Sequence, residues 1–476
     1  MSALRASRSA LKKRGKSAMR KNIFQYMDIP LPSPAERMKE HGNLTEAAAY
    51  LQRLIESEAC LPEEKKRFFA EQEILRRLPG EYPYTREEAL ELLRRYIPDF
   101  SEERFDALLA EGKIFWRYLD GIPRYFGRFF DSLCKTEPYF AKEAAKRGYS
   151  AVGSDVELLR ESAEKMQRVG KLSVRLCVRA ELKLEQHLYR EGALLWASLP
   201  FPRDTEEQSD IRLEEFFAGG QIGAADAEQR VVFWEERMRE NHAFSLQYSL
   251  LHTESYRDLY TSAEELEAGK GAEMKKAGLS GSTGTYIRLL AARLTEGVKE
   301  PLSKAKRFYD FITKRVRYSF MPSYFCLDRM AERCASDRIG DCGIQALLFL
   351  SLCEAAGIPA HWESGLKTEP GFIGAHDWVR FYAGEYGWRA ADLSYGGAAW
   401  RRGDMRMHRF YFGNVDPWRA AANACFMGET GFPEPEFRAD PYDNQVGEMA
   451  LDGQGLRYED FTRGKEIIAA DEEKEG

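Results

Sequence analysis

The sequence lacks the segments that would hold it in a membrane or carry it across one. No uninterrupted apolar run reaches the roughly 18 residues that a membrane-spanning helix requires. The first residues are basic, but no apolar core typical of a secretory signal follows them. We therefore expect no transmembrane segment and no secretory leader.

Closely paired cysteines are also missing. Zinc sites usually use Cys-x2–4-Cys pairs, and the nearest approach here is the eight-residue spacing of Cys326, Cys334 and Cys342. Neither a metal nor another cofactor is predicted. Scattered cysteines are typical of reduced thiols, so we expect a cytoplasmic protein. The eight cysteines are Cys60, Cys134, Cys177, Cys326, Cys334, Cys342, Cys353 and Cys425.

Charge is unevenly distributed along the chain. The 476 residues are 44% hydrophobic and 31% charged, which is typical of a globular protein too long for a single core. The net charge is −6, yet eight Lys or Arg and no acid fall within residues 1–27. Residues 1–28 are predicted to be a basic disordered tail. It is either solvated, folded back on the acidic body, or a tether to an anionic surface.

The first large segment, residues 29–168, is predicted to be a helical domain. Thr85 and Glu88 form a capping-box pattern at the start of one helix. Aromatic residues concentrate in 114–119 and 125–130, where they would form either a ligand groove or, as we prefer, the core of the helical domain.

The pattern then changes to period two, which favours strands. Leu172–Ala180, Ala193–Leu199 and Phe244–Leu251 alternate or run apolar, so a small antiparallel β-sandwich is predicted. The predicted order is a β-sandwich-like domain at 169–258, a linker at 259–284, an α+β core at 285–425 and an irregular C-terminal extension at 426–476.

One helix of the core begins with a cysteine. Apolar residues recur at helical spacing after Cys342, Asp341 can cap the first turn, and Gly357 with Pro359 ends the segment. Unpaired N–H groups and the helix dipole at this position favour a thiolate over a thiol. Cys342 is therefore the candidate nucleophile, whereas Cys353 is predicted to be inert packing.

A β-hairpin follows that helix. His376 begins one predicted strand and Asp392 ends the next, so an antiparallel hairpin would bring the two side chains together. Packed against the helix start, they would supply a base and a residue that orients the base. Asp377 competes for the orienting role. As the strand neighbour of His376 it should point to the opposite face, and its replacement by Asn should be nearly silent.

These motifs resemble the transglutaminase-like superfamily of papain-type cysteine enzymes. The resemblance rests on Asp-Cys-Gly before an apolar helix ending Ala-Gly-Ile-Pro-Ala, on His-Asp-Trp-Val, and on Asp-Leu-Ser-Tyr-Gly, and is dense over 316–397. It implies a nucleophile at Cys342, a base at His376 and its partner at Asp392. Two positions depart from the usual pattern. The chain has Ala391-Asp392-Leu393 in place of Val-Asp-Pro, and His361 where an arginine often stands. Substrate preference is therefore not carried over.

Several alternatives stay open at the level of sequence. The first oxyanion donor is the backbone N–H of Cys342, and the second is Tyr318 or Tyr324. Five of the eight tryptophans, between 362 and 418, line either an acceptor groove or a small core. The predicted function is acyl transfer on a peptide or side-chain amide of a peptide or protein substrate, by hydrolysis or transamidation. The alternatives are a catalytically silent scaffold, and a binding protein that works through its helical domain.

Overall fold

The structure is a computed structural model that describes residues 26–27, 29–149, 153–268, 284–435 and 437–473. Almost all of the predicted basic tail, residues 1–28, lies outside the described residues. Within them, helices, a β-sandwich and a mixed core confirm the predicted α+β class.

The N-terminal part is helical with one small hairpin. Its apolar residues form two clusters, one around Leu51 and Ile74 and the other around Phe105 and Phe129. The predicted capping box is present, with the Glu88 amide donating to Thr85 Oγ1. The elements are α1 Ser33–Glu40, α2 Leu44–Glu56, α3 Pro62–Glu81, α4 Arg86–Tyr96, α5 Glu102–Ala110, β1 Trp116–Leu119, β2 Ile122–Tyr125, α6 Phe129–Thr136, α7 Pro138–Ala145 and α8 Val156–Val169.

The aromatic segments of this part split between core and surface. Phe126, Phe129 and Phe130 are buried, which agrees with the preferred core interpretation. Trp116 and Tyr118 are exposed on the β1–β2 hairpin, which interrupts the predicted all-helical stretch. A turn with Asp120 and Gly121 at positive φ joins the two strands, and the pattern of aromatic residues alone does not reveal this turn.

Two antiparallel sheets form the sandwich that the period-two pattern predicts. Alternating apolar residues such as Val174, Leu176 and Val178 face its core and are fully buried. The middle of the chain supplies β3 Lys171–Leu184, β4 Leu194–Pro200, β5 Gln208–Phe216, β6 Gln221–Ile222, β7 Val231–Arg237 and β8 Ala243–Ser255.

The core combines helices with a five-stranded antiparallel sheet. The sheet has the order β14-β13-β12-β11-β15, and the apolar helix α13 packs against β11 and β12 as well as α10 to α12. The elements are α9 Leu259–Ala268, α10 Thr285–Leu294, α11 Pro301–Arg315, β9 Arg317–Tyr318, α12 Met330–Asp337, β10 Ile339–Gly340, α13 Cys342–Ala355, β11 Ala360–Glu369, β12 Phe372–Tyr382, β13 Trp388–Ala391, α14 Leu393–Arg401, α15 Met405–Phe410, β14 Phe412–Gly413 and β15 Arg419–Asn423.

The prediction of an irregular C-terminal extension at 426–476 is wrong. Three strands there, β16 Glu448–Leu451, β17 Gln454–Gly455 and β18 Phe461–Glu472, join the sandwich, giving sheet orders β17-β16-β4-β7-β6 and β18-β3-β8-β5. The β18 sequence is rich in charge, and its strand conformation depends on pairing with β3 almost 300 residues earlier. Local periodicity does not report such a contact.

The predicted linker at 259–284 also differs from the structure. Its first ten residues form helix α9, which packs on α11 through buried Leu259, Tyr260 and Ala263. Residues 269–283 lie outside the described residues. Within the described part of the chain, no helix is both long and apolar enough to cross a membrane.

Candidate active site

Cys342 is the first residue of the buried helix α13, as predicted. The side chain of Asp341 caps the helix by accepting a hydrogen bond from the Ile344 amide at 3.0 Å. The buried Ile344, Leu348 and Leu352 anchor the helix in the core, so the position of the thiol is fixed by packing. The first-turn N–H groups lack partners inside the helix and lie beside the thiol.

His376 and Asp392 form a buried pair. His376 Nε2 donates to Asp392 Oδ2 at 2.7 Å, and the two residues are 5% and 0% exposed. Asp392 follows β13 and caps α14, because its Oδ1 accepts from the Tyr395 amide at 2.9 Å. With Nε2 held by Asp392, Nδ1 is the ring nitrogen that can face the cysteine. The hairpin therefore assembles the pair as the sequence predicts.

Asp377, which was expected to point away from His376 and to be nearly silent when replaced by Asn, contacts the thiol. Cys342 Sγ donates to Asp377 Oδ2 at 3.2 Å. Asp377 follows His376 on β12, and its other oxygen accepts from Gln445 Nε2. Gln445 also donates to Asp443 Oδ2 at 2.8 Å and to the His376 carbonyl at 3.3 Å. The strand neighbour of His376 therefore contacts the thiol, because the start of α13 lies over this part of the sheet.

The protonation states follow from burial and from these neighbours. Burial raises the pKa of the Cys342 thiol well above its usual value, and the carboxylates of Asp377 and Asp341 raise it further, while Lys135 opposes them. The predicted preference for a thiolate is therefore wrong for the resting protein. Desolvation and two nearby negative charges outweigh the helix N-terminus.

The acids and the imidazole are also displaced from their usual ranges. Burial raises the pKa of Asp377 to about 7 and that of Asp341 to about 6. Burial lowers the pKa of His376 although Asp392 opposes this, so the imidazole is neutral and can accept a proton. Burial also disfavours ionisation of Asp392, but His376 and Arg419 hold the pKa of its carboxyl below the ordinary range.

Gly343, next to the cysteine, allows a close approach of three elements. A Cβ at this position would lie 2.2 Å from Tyr324 Oη, and 2.9 Å from both Asp377 Oδ2 and the Trp362 ring. Tyr324 Oη donates to Asp341 Oδ1 at 2.8 Å. A glycine after the cysteine is therefore a steric requirement of this site.

A network of buried charges lies behind the His376–Asp392 pair. Arg419 Nη2 is 2.9 Å from Asp392 Oδ2 and 2.9 Å from Asp416 Oδ2. Lys367 pairs with Asp416 and, at 3.0 Å, with Glu369. Arg419 therefore contacts the same carboxylate oxygen of Asp392 that His376 contacts. The local sequence around Arg419 does not distinguish it from other arginines, so its role beside Asp392 is not visible in the sequence.

Two clefts meet at the thiol. One, of about 470 Å³, is lined by Cys342 and His376, and we call it the histidine-side cleft. The other, of about 590 Å³, is lined by Cys342 and Asp377, and we call it the aspartate-side cleft. A bound chain that passes over the thiol would occupy both clefts. Besides Cys342, the two clefts share Arg128, Tyr318, Phe320 and Ala375.

Tyr318, the candidate oxyanion donor, lies at this junction. Its ring is buried and lies 4.2 Å from Lys135 Nζ, measured to the ring centroid. Burial raises the pKa of its phenol well above the usual value, so the hydroxyl keeps the proton that a donor needs. The alternative, Tyr324, already donates to Asp341.

The N-terminal helical part contributes directly to the site. Arg128 precedes α6 and Lys135 lies in its last turn, and both side chains line the histidine-side cleft. Ser132 on the same helix accepts a hydrogen bond from the Phe320 amide at 3.1 Å. The sequence analysis found no chemistry in this part, because the contact links residues almost 190 positions apart.

Two other sequence hypotheses concern the cysteines and the tryptophans. Cys326 packs in the N-terminal apolar cluster around Leu51, whereas Cys334 packs in the main core. No group of three His, Cys, Asp or Glu within the described ranges is arranged to hold a metal ion. Three of the five tryptophans between 362 and 418 belong to the core, since Trp362, Trp378 and Trp418 are at most 2% exposed, whereas Trp388 is 46% exposed.

Comparison with known proteins shows what this core is similar to. Residues 288–393 match the model of the transglutaminase-like superfamily. No curated protein matches the chain. Among solved structures, a candidate cysteine protease from Cytophaga hutchinsonii is 15% identical with a TM-score of 0.36, over 63% of this chain and 91% of that one. The periplasmic domain of TgpA from Pseudomonas aeruginosa is 17% identical with a TM-score of 0.26, over 52% of this chain and 96% of that one.

The matched segment contains all three residues singled out by the sequence, Cys342, His376 and Asp392. Over this segment, the chain is similar to the transglutaminase-like superfamily.

Proposed function

We propose that the protein is a cysteine-nucleophile enzyme that transfers an acyl group from a peptide or side-chain amide through a thioester. The observation that carries the proposal is the buried 2.7 Å contact of His376 with Asp392, in a cleft that Cys342 also lines. Cys342 is the nucleophile, His376 the base and then the acid, and Asp392 the residue that orients the imidazole. Arg419 keeps Asp392 ionised.

Each step follows from these roles. Cys342 Sγ turns from Asp377 towards His376, and Nδ1 takes its proton as the sulfur attacks the amide carbonyl. The tetrahedral intermediate then expels the amine, which takes that proton from His376 and leaves a thioester on Cys342. Water or a second amine attacks the thioester, gives its proton to His376 and releases the thiol. The backbone N–H of Cys342 and the Tyr318 hydroxyl are the proposed donors to the oxyanion.

One observation favours the alternative of a catalytically silent scaffold. The Cys342 thiol donates to Asp377, and burial with two carboxylates raises its pKa. A thiol held in this way is a poor nucleophile until it leaves Asp377. The two functions therefore differ in whether substrate binding moves the thiol to His376.

Turnover of labelled peptides tests the proposal. The protein is incubated with peptides carrying glutamine or ordinary amide bonds, with and without a primary amine, and the products are identified by mass. We expect cleavage or deamidation without the amine and, for a transferase, a covalent amine adduct with it. Cys342→Ala should abolish either product. Cys425→Ser is the matched control, because Cys425 is a half-buried free thiol that lines neither cleft.

Absence of product from every peptide, together with failure to trap a thioester on Cys342 with hydroxylamine, would contradict the enzyme and favour the scaffold. Activity that survives Cys342→Ala would instead show that another group is the nucleophile.

We also propose a reducing, cytoplasmic location. All eight cysteines are free thiols; four of them are buried and the other four are half-buried. A protein that keeps this many reduced thiols is typical of a compartment buffered by glutathione. Fractionation of cells that express the tagged full-length chain tests the location.

A further inference from the structure

The histidine-side cleft has a strongly one-sided charge. Six basic side chains line it, and none of the described residues that line it is Asp or Glu. They come from segments that are far apart in sequence, so their convergence is a property of the tertiary structure. The six are Arg128, Lys135, Lys367, Arg401, Arg402 and Lys465.

Four of these six cations lack an ionic partner among the described residues. Arg128 pairs with Asp131 at 3.2 Å, and Lys367 pairs with Asp416 and Glu369 in the buried network. The side chains of the other four make no ion pair with a described residue. These four are Lys135, Arg401, Arg402 and Lys465.

The cleft walls surround these charged groups more closely than the exposed fractions of the charged side chains suggest. Lys135 and Arg401 are both exposed, yet they face the interior of a concave cleft. Burial lowers the pKa of Lys135 and of Arg401, with Arg402 contributing to the latter. Burial and the neighbouring Arg463 lower the pKa of Lys465 to about 8. The free protein therefore bears an electrostatic cost that a bound anion would relieve.

The aspartate-side cleft has the opposite character. Its lining includes the carboxyl groups of Glu81, Asp341, Asp377, Asp440 and Asp443, with Arg128 and Arg463 as its only cations among the described residues. A negatively charged group of a ligand is therefore disfavoured in the aspartate-side cleft and favoured in the histidine-side cleft. The polarity across Cys342 would orient a charged chain in one direction.

We propose that the histidine-side cleft selects acyl substrates that carry a carboxylate next to the scissile amide, that is, acidic peptides. This inference rests on the proposed function of Cys342 and names its substrate class. A cleft of about 470 Å³ has room for a short peptide segment. The carboxylate would pair with Lys135 and the Arg401–Arg402 pair, while the acidic cleft beyond Cys342 would discourage the reverse orientation.

Alkylation of Cys342 tests the charge of the cleft without requiring turnover. Iodoacetate and iodoacetamide react with the same thiolate, so the ratio of their rates at Cys342 cancels changes in thiol pKa and reports the local charge. We expect Lys135→Gln and Arg401→Gln each to lower this ratio about two- to fivefold at low salt, and added salt to reduce the difference. The double variant should show the larger drop. Mass spectrometry of the Cys342 peptide gives both rates.

Matched variants separate charge from packing. Lys135→Arg and Arg401→Lys keep the charge and should keep the ratio. Arg190→Gln removes a charge that pairs with Asp452 outside the cleft, and it should also leave the ratio unchanged. An unchanged ratio in the Lys135→Gln/Arg401→Gln double variant, with an unaltered unfolding temperature, would overturn the inference.

Peptide turnover tests the substrate class itself. A set of otherwise identical peptides carries Glu, Gln or Lys on either side of the scissile amide, and kcat/KM is compared. We expect the Glu peptide to exceed the Lys peptide at least about tenfold on one side, and Arg401→Gln to remove most of the preference. Turnover of all peptides at equal rates would overturn the charge selection while upholding the thiol enzyme. If the iodoacetate-to-iodoacetamide ratio falls in the variants as expected but no peptide is turned over, the result would instead contradict the proposed enzyme.

Discussion

At the scale of single residues, the site places one thiol between two competing partners. Cys342 donates to Asp377 in the resting structure, while the neutral imidazole of His376, fixed by Asp392, lines the same cleft as the thiol. The first contact stabilises the protonated sulfur, and transfer of its proton to His376 would generate the nucleophile. The balance between the Asp377 carboxyl and the His376 imidazole as partners of the thiol is therefore expected to set its reactivity.

Asp392→Asn should impair turnover with the fold intact. Asparagine can still cap α14, but it would no longer accept the hydrogen bond from His376 Nε2–H. It also lacks the negative charge that stabilises the imidazolium. We expect kcat to fall roughly 10- to 10³-fold, less than the about 10⁴-fold known for a serine triad, because a cysteine–histidine pair depends less on the third residue. Asp404→Asn is the matched control, since Asp404 also caps a helix but lies outside the triad. Equal losses in the two variants would contradict the assigned role.

Asp377→Asn should make Cys342 more reactive and the protein more stable at alkaline pH. Folding raises the pKa of this carboxyl to about 7, so the folded chain takes up a proton between about pH 4 and pH 7. The free energy of unfolding contributed by Asp377 therefore falls as the pH rises through that window. The Asn variant retains the acceptor for Gln445 and removes the charge.

The unfolding temperature and the alkylation rate measure these two effects. The gain in unfolding temperature from Asp377→Asn should be larger at pH 8 than at pH 5, equivalent to roughly 1–3 kcal/mol. Iodoacetamide should label Cys342 faster in the variant at pH 7, because one carboxylate that raises the thiol pKa is gone. A variant that is slower to label and less stable at pH 8 would show that the Asp377 carboxylate is needed for structure.

At the scale of elements, the junction between α13 and β12 determines the site. The first turn of the helix lies so close to Asp377 and Tyr324 that only a glycine fits after the cysteine. The junction joins a buried helix to the strand that carries His376, so a shift of either element would separate the thiol from the imidazole.

Gly343→Ala should lower both stability and activity. The added methyl group would lie 2.2 Å from Tyr324 Oη, so the tyrosine or the helix must move, at a cost of about 1–3 kcal/mol. Thermal unfolding and kcat measure the two effects. Gly80→Ala is the control, because a Cβ there meets nothing within 4 Å inside α3, and it should be neutral or slightly stabilising. An unchanged unfolding temperature in Gly343→Ala would contradict this tight junction.

At the scale of the whole molecule, parts distant in sequence enclose the core that carries Cys342. Helix α6 contributes Lys135 to one wall of the histidine-side cleft, and strand β18 contributes Lys465. The same strand forms the edge of the sandwich by pairing with β3. The helical part and the end of the chain therefore help to define what reaches Cys342.

Removal of residues 461–476 should destabilise the protein and open the cleft. Loss of the twelve-residue strand exposes the edge of β3 and the core around Phe461, and we expect the unfolding temperature to fall by at least about 5 °C. Removal of residues 474–476 alone is the control and should change nothing. An unfolding temperature that is equal in the two truncations would show that β18 is dispensable for the fold.

The sequence by itself pointed to Cys342, His376 and Asp392 as the candidate site residues, because each is marked by a local pattern. Asp341 and Cys342 precede an apolar helix, His376 begins a strand, and Asp392 ends the next one. Such signals depend only on neighbours within one or two turns or one hairpin. The period-two segments likewise predicted the sandwich strands of the middle part.

Only the tertiary structure decided the state of the thiol and the surroundings of the site. Contact of Asp377 with Cys342 depends on how α13 lies over β12, and the pKa of the thiol depends on the resulting burial. Strand β18 and the cations of the histidine-side cleft are brought in by contacts across long separations in sequence. Burial and charge proximity are set by three-dimensional packing, which a one-dimensional pattern does not encode.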